Sequence, residues 1–380
     1  MRLLCILAIA AAIAQPAVAS DWNTGVGRDA ARTGLSPEVG PEAPDLLWEG
    51  SRPAIVSQQG VAGEGLFIAP RIQSFTIPTG TWIVAHDLVT GEEAWAVQLP
   101  FEEPDEWRSR VSAIRDGKVY ATRAGGENQP GYLYALDPAD GSILWRSEER
   151  IDEATTESAS FAADGDLIVG NWDSVVRIEQ TDGTTVWSVP RSTPSSNGLS
   201  VAVVGDRGYI WEPTASGPKV TAIDVEAGAR LYSSAAISGG YVQQLGLFCG
   251  PDGTVYAPRT QNNPSTDYLV ALEDTGAALV EKWRTPLGYV PFASFGIGPD
   301  GTIYSYSRDL EVLRLDPDTG AELDRSVGIG LDYPMQPRMA IDADGNVYVT
   351  NGGFDNGRLY AFTPDLETRW EEEIYRVNLG

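Results

Sequence analysis

Histidine occurs once and cysteine twice in 380 residues, so little material exists for metal or nucleophile chemistry. Cys5 falls inside an apolar N-terminal leader, which leaves Cys249 alone after processing and forbids an intrachain disulfide. Long apolar runs are also missing. The longest, residues 3–14, has about 12 residues, short of the roughly 20 that cross a bilayer as a helix. It follows the basic Arg2 and precedes Gln15-Pro16 and Ala17-Val18-Ala19, the pattern of a cleaved secretory signal peptide over residues 1–19. Ser20, not a cysteine, stands after that triplet, so lipid anchoring is not expected. The mature chain is expected to be an exported, soluble monomer of the periplasm or extracellular space.

Positive charge is scarce as well. Lys and Arg number 27 against 53 Asp and Glu, a net charge of −26, and loss of Arg2 with the leader makes it one unit more negative. Such a surface repels nucleic acid and anionic membranes. It also serves as a solubility adaptation to salt, which says nothing about a ligand.

What the chain has in quantity is repetition. An acidic residue after an apolar pair, then a Gly-bearing turn and usually an aromatic, recurs from Asp87 to Trp95, Asp137 to Trp145, Glu179 to Trp187, Asp224 to Tyr232, Glu273 to Trp283 and Asp316 to Leu323. A seventh copy runs from Thr363 to Trp370. Upstream of each lies a turn Gly leading into a short β-rich run: Gly65, Gly117, Gly165, Gly208, Gly253, Gly301 and Gly345. Successive copies are 42 to 50 residues apart, close to the ~40–50 of a four-stranded propeller blade. The second unit reads as strands at 111–114, 118–122, 132–136 and 143–146, joined by Asp116-Gly117 and Asp140-Gly141 turns. The expectation is an all-β, seven-bladed propeller of four-stranded antiparallel blades. A lead-in at residues 20–45 precedes one propeller domain at 46–380.

Two recurrent positions receive packing roles. The fourth-strand aromatic is expected to bury itself between blades, and the acidic residue to accept N–H groups of the following turn. Trp48, in Leu46-Leu47-Trp48-Glu49-Gly50, looks like an eighth fourth strand without its own blade. It could close the ring beside the C-terminal segment, and it keeps eight blades open as the alternative.

Asp252-Gly253-Thr254-Val255-Tyr256-Ala257 and Leu133-Tyr134-Ala135-Leu136-Asp137-Pro138-Ala139-Asp140-Gly141 resemble the secreted propellers built from pyrroloquinoline-quinone-like (PQQ-like) repeats. The opening Trp22-Asn23-Thr24-Gly25-Val26-Gly27-Arg28-Asp29 through Pro37 is similar to the lead-in of many such proteins. The resemblance implies either a quinoprotein dehydrogenase holding PQQ and calcium or a non-enzymatic envelope scaffold like the outer-membrane assembly propeller. The enzymes carry an adjacent-cysteine disulfide beside the cofactor, which Cys249 alone cannot form, and the chain has no Cys-x-x-Cys-His haem attachment. The scaffold branch is therefore expected, with no cofactor and a protein or cell-envelope partner.

His86 occupies a position filled elsewhere by Leu136, Ile178, Ile223, Leu272, Leu315 and Phe362, so it reads as structural, and no Gly-x-Ser-x-Gly elbow accompanies it. Asp342-Ala343-Asp344-Gly345-Asn346 superficially resembles a calcium loop but falls on the same turn as Asp252-Gly253, so a plain hairpin is expected. Alignment on the leading Gly brings Arg71, Arg123, Asn171, Arg259, Ser307 and Asn351 to one position, and the fourth blade adds Glu212. That position lies where the second strand exits, on the face carrying the long loops 71–81, 102–110, 192–197, 260–267, 331–338 and 351–356. Binding usually resides on such loops. Arg71, Arg123, Asn171, Arg259 and Asn351 are the candidate contacts, the arginines facing an anionic or carboxylate group. A quinone-dependent oxidoreductase is the second expectation, and a propeller lyase or lactonase with a channel metal the third.

Overall fold

The computed structural model describes residues 22, 24, 27–48, 56–57, 60–72, 80–100, 106, 108–124, 130–151, 159–194, 200–237, 241–242, 246–260, 267–288, 295–307, 311–330, 339–351 and 357–374. Seven antiparallel sheets follow one another along the chain as the seven blades of a propeller, each ordered first strand to fourth. Blade one runs from Val61–Gly63 through Leu66–Ile72 and Thr81–Asp87 to Glu93–Val97, with Val56–Ser57 extending its innermost position. Blade two consists of Arg108–Arg115, Lys118–Ala124, Gly131–Leu136 and Ile143–Ile151. Blade three starts at Ser160–Phe161, four at Ala202–Val204, five at Phe248–Cys249, six at Gly296–Ile297 and seven at Met339–Ile341, which leads to the last strand, Thr368–Glu373.

Turn chemistry written in adjacent residues sets each hairpin. The Asp87 carboxylate accepts the N–H groups of Val89 and Thr90 at 3.0 and 2.7 Å, and Asp316 repeats this with Asp318 and Thr319 at 2.9 and 2.8 Å. Asp342 follows the hairpin reading. Its Oδ1 accepts the N–H groups of Asp344 and Asn346 at 3.0 and 2.8 Å.

Apolar side chains fill the spaces between neighbouring blades. Ile68, Trp95 and Val111 join blades one and two; Trp145, Phe161 and Val169 join two and three; Ile168, Val201 and Ile210 join three and four. Trp211 and Val255 join four and five, and one cluster from Phe248 through Tyr304 to Phe362 spans five, six and seven. Among the described residues no such cluster links blade seven to blade one.

Four of the five fourth-strand tryptophans repeat one docking geometry. Each donates its indole N–H to the carbonyl just after the acidic position of the next blade: Trp95 to Pro138 at 2.7 Å, Trp145 to Gln180 at 3.0 Å, Trp187 to Val225 at 3.0 Å and Trp283 to Pro317 at 2.9 Å. The indoles lie against Gly141, Gly183, Gly228 and Gly320, where an added Cβ would come within 2.4–2.7 Å of its nearest neighbouring atom. Tyr232 takes this place in blade four and donates its hydroxyl to Asp274 Oδ1 at 2.6 Å instead.

Trp48 completes the series. It donates to the Leu88 carbonyl at 3.0 Å, lies against Gly91 and stacks on His86 with ring centres 5.7 Å apart. Blade seven's own Trp370 donates to the Pro41 carbonyl, at 3.3 Å, and not to blade one. The segment carrying Trp48 touches the innermost strand of every blade in turn. Trp22 bridges to Ala62 and Thr24 to Ala113. The Ala30 carbonyl accepts from Ser160 Oγ at 3.3 Å and the Val203 N–H at 2.8 Å. Ala31 accepts from Cys249 at 2.9 Å, Thr33 from Ile297 at 2.9 Å and Gly34 from Ile341 at 2.8 Å. It then leaves along blade seven, where the Gly40 N–H donates to Asp342 Oδ2 at 2.9 Å.

Candidate functional site

The seven second-strand exit positions are structurally equivalent. Arg71 pairs with Trp82, Arg123 with Tyr132, Glu212 with Lys219 and Arg259 with Tyr268, each partner five residues before its blade's acidic position. Asn171, Ser307 and Asn351 take the same step by donating their N–H groups to Ser174, Glu311 and Arg358. The loops beyond them lie largely outside the described residues.

All seven side chains are buried, not displayed on a surface. Most are tied into the framework. Arg71 donates from Nη1 to Glu93 at 2.8 Å. Arg123 donates to the carbonyls of Glu106 and Leu99 at 2.7 and 2.8 Å, and burial lowers its pKa. The Asn171 side-chain amide donates to the Arg150 carbonyl at 3.3 Å, and the Asn171 backbone carbonyl accepts from Arg191 Nε at 2.7 Å. Asn351 accepts from the Arg358 N–H at 2.9 Å and donates to Gly330 at 3.3 Å. These four residues therefore stand at one end of the ring as a set, in separate blades.

Glu212 is held most firmly. Its carboxylate accepts from Arg230, from Thr221 at 2.6 Å and from the Ser192 N–H at 2.9 Å. Burial alone would raise its pKa; these hydrogen bonds outweigh burial and bring it down to about 2.

Arg259 differs from the rest. It is 0% exposed, and among the described residues none of Nε, Nη1 and Nη2 meets an acceptor in good hydrogen-bond geometry, the neutral Tyr268 hydroxyl being the group near enough to favour its charge. Its guanidinium carbon lies 5.4 Å from the centre of the Trp211 ring. Sequence reasoning missed Trp211, whose only signal is its place immediately before Glu212 at the end of the strand Arg207–Glu212.

A cleft of about 950 Å³ opens at the same end between blades two and three, with Pro130, Arg150, Trp172, Asp173 and Pro190 in its walls. That volume is in the range of small-ligand sites. Among the described residues no group of three His, Cys, Asp or Glu side chains is placed to hold a metal ion. Cys249 is buried in the innermost strand of blade five, and burial drives its thiol pKa up. The cysteine pair that would flank a quinone therefore has no counterpart here.

A sequence model of the family described as outer membrane protein assembly factor BamB matches residues 79–326. No curated protein matches the chain. Among solved structures, BamB from Moraxella catarrhalis superposes with a TM-score of 0.51 at 16% identity, covering 82% of this chain and 80% of that one. The quinohemoprotein alcohol dehydrogenase from Comamonas testosteroni gives 0.55 at 16% identity over 88% and 77%. The computationally designed Ika8 protein gives 0.61 at 12% identity over 87% and 91%. At these identities the likeness is one of fold.

Proposed function

Because the chain belongs to the PQQ-like β-propeller family typified by the outer membrane protein assembly factor BamB, we propose that it is an exported, non-enzymatic scaffold holding a protein or cell-envelope partner against the loop-bearing end of its ring. The observation that supports this reading is the set of buried side chains at that end. Arg71, Arg123, Asn171, Glu212 and Asn351 are bonded inward, which stiffens the strand ends and leaves the loops beyond them as the variable element.

Photo-crosslinking tests which end is used. A crosslinker in place of the exposed Asp173, at the loop-bearing end, is expected to capture a discrete envelope partner, and one at the exposed Thr181, at the opposite end, is not. Capture from Thr181 alone, or from neither position, would overturn the reading.

The alternative, a quinone-dependent oxidoreductase using PQQ and calcium, draws on the fold shared with the alcohol dehydrogenase. The residues present fit the quinone poorly, since the only mature cysteine is sealed in the core. Dye-linked oxidation of alcohols or sugars after addition of quinone and calcium would establish it.

A further inference from the structure

A charge buried without a counter-charge is among the most costly arrangements in a fold, so a guanidinium left that way marks a place for a missing acceptor. Arg259 is such a group: at 0% exposure its three nitrogens meet no charged acceptor among the described residues, only the neutral Tyr268 hydroxyl close by and the face of the Trp211 ring. The indole Nε1 of Trp211, equally buried, is also unpartnered. Two neighbouring side chains from blades four and five thus aim only donors at each other's surroundings. Glu212, next in sequence to Trp211, is no counter-ion for them because Arg230, Thr221 and Ser192 already occupy it. Burial lowers the Arg259 pKa; Tyr268 opposes that shift, and Arg284 adds to it. Both strands, Arg207–Glu212 and Val255–Thr260, end at the loop-bearing side with these residues next to last.

We propose that Arg259 and Trp211 form a receptor for a single carboxylate group that enters from the loop-bearing end. The direction of approach rests on the scaffold reading; the chemistry does not. A planar guanidinium matches a carboxylate through two parallel N–H bonds, and the indole N–H supplies a third donor. One cation balances one negative charge. A net charge of −26 works against phosphates and other polyanions, which selects the monovalent carboxylate among anions.

The carboxylate could belong to a free organic acid or to the end of a partner's chain, and the test separates these sources. The mature protein is titrated with acetate, succinate, a short peptide with a free C-terminus and the same peptide amidated, with sodium chloride and sulfate as controls. Thermal unfolding and calorimetry are the readouts. At least one carboxylate should raise Tm saturably, while the amide, chloride and sulfate should not. A response to the acids identifies a small ligand; a response confined to the free-carboxylate peptide identifies a partner's terminus. Arg259→Met should weaken the response by about 10- to 100-fold, as expected for loss of a charge-assisted pair, and leave the ligand-free Tm equal or higher. Trp211→Phe, which removes only the N–H from a ring of similar size, should weaken it by about 2- to 10-fold. The proposal falls if no carboxylate shifts the wild type, if Arg259→Met responds equally, or if that variant loses several degrees without ligand. Failure of the crosslinking contrast with an intact carboxylate response would overturn the scaffold reading alone.

Discussion

Truncating Trp48 to alanine tests whether the propeller is closed by a residue outside its blades. A fully buried Trp→Ala change costs about 3–5 kcal/mol, the expectation for Trp145, which is 8% exposed. Trp48 is only half-buried, but it stacks on His86, lies against Gly91 and donates to Leu88 at 3.0 Å. Roughly half the burial plus about 1 kcal/mol for the hydrogen bond gives a loss of about 2.5–3.5 kcal/mol. In a chain of this size that corresponds to roughly 3–5 °C in Tm. Leu46 and Leu47, 78% and 73% exposed, are internal controls whose truncation should cost less than about 0.5 kcal/mol. Urea unfolding supplies the free energies, and limited proteolysis reports whether the segment before Trp48 becomes cleavable ahead of the blades. Gly91→Ala should reproduce the effect, since its Cβ would sit 2.4 Å from the indole and its φ is +70°. The two changes together should cost little more than either alone. If Trp48→Ala behaves like Leu46→Ala, the closure is made elsewhere and the reasoning fails.

Glu212→Gln should destabilise the protein by about 3 kcal/mol at neutral pH, the worth of a carboxylate whose folded pKa is about 2 against an unfolded value of 4.5. Because the folded value is depressed, that stabilisation is complete above about pH 4.5 and is lost as pH falls toward 2; denaturation midpoints of the two proteins should converge over that window. Arg177→Met should cost about 3–5 kcal/mol by urea unfolding, because Arg177 bonds Asp166 at 2.8 Å, Asp164, and across the blade boundary the Val225 carbonyl at 3.0 Å, and its loss leaves buried Asp166 without that counter-charge, holding only the Gln180 N–H at 3.1 Å. Cys249 should ignore thiol reagents in the native protein and react after denaturation, since it is fully enclosed with a raised pKa.

The blades were legible because their rules are local. Asp87 and the N–H groups it accepts are two and three residues apart, so a hairpin can be read from a handful of positions. The docking of one blade on the next is half legible. Gly91, Gly141, Gly183, Gly228 and Gly320 stand four residues after their acidic positions, under an incoming tryptophan. Where Tyr232 or Leu323 comes in, the same place holds Ala277 or Glu367. Gly91 therefore announces a tryptophan from a blade that does not precede it, which is why Trp48 looked out of place in the sequence and docks where it does.

The candidate site was legible in position and illegible in character. Arg71, Arg123 and Arg259 are interchangeable by type and register, yet one meets a Glu93 carboxylate, the next two backbone carbonyls and the third, among the described residues, neither a carboxylate nor a carbonyl. No local pattern encodes that difference, because the surroundings of each arginine come from other strands and, for Arg259, from another blade through Trp211. A ring with this many arginines satisfied from within has little left to offer a ligand at those places. The free energy available for recognition is concentrated where the fold leaves a donor pair unanswered, so mutations at Arg71 or Arg123 should register as stability losses and those at Arg259 as binding losses. Measuring Tm and carboxylate affinity side by side for Arg71→Met, Arg123→Met and Arg259→Met separates the two behaviours, and three variants that all lose stability without a change in affinity would return Arg259 to the framework.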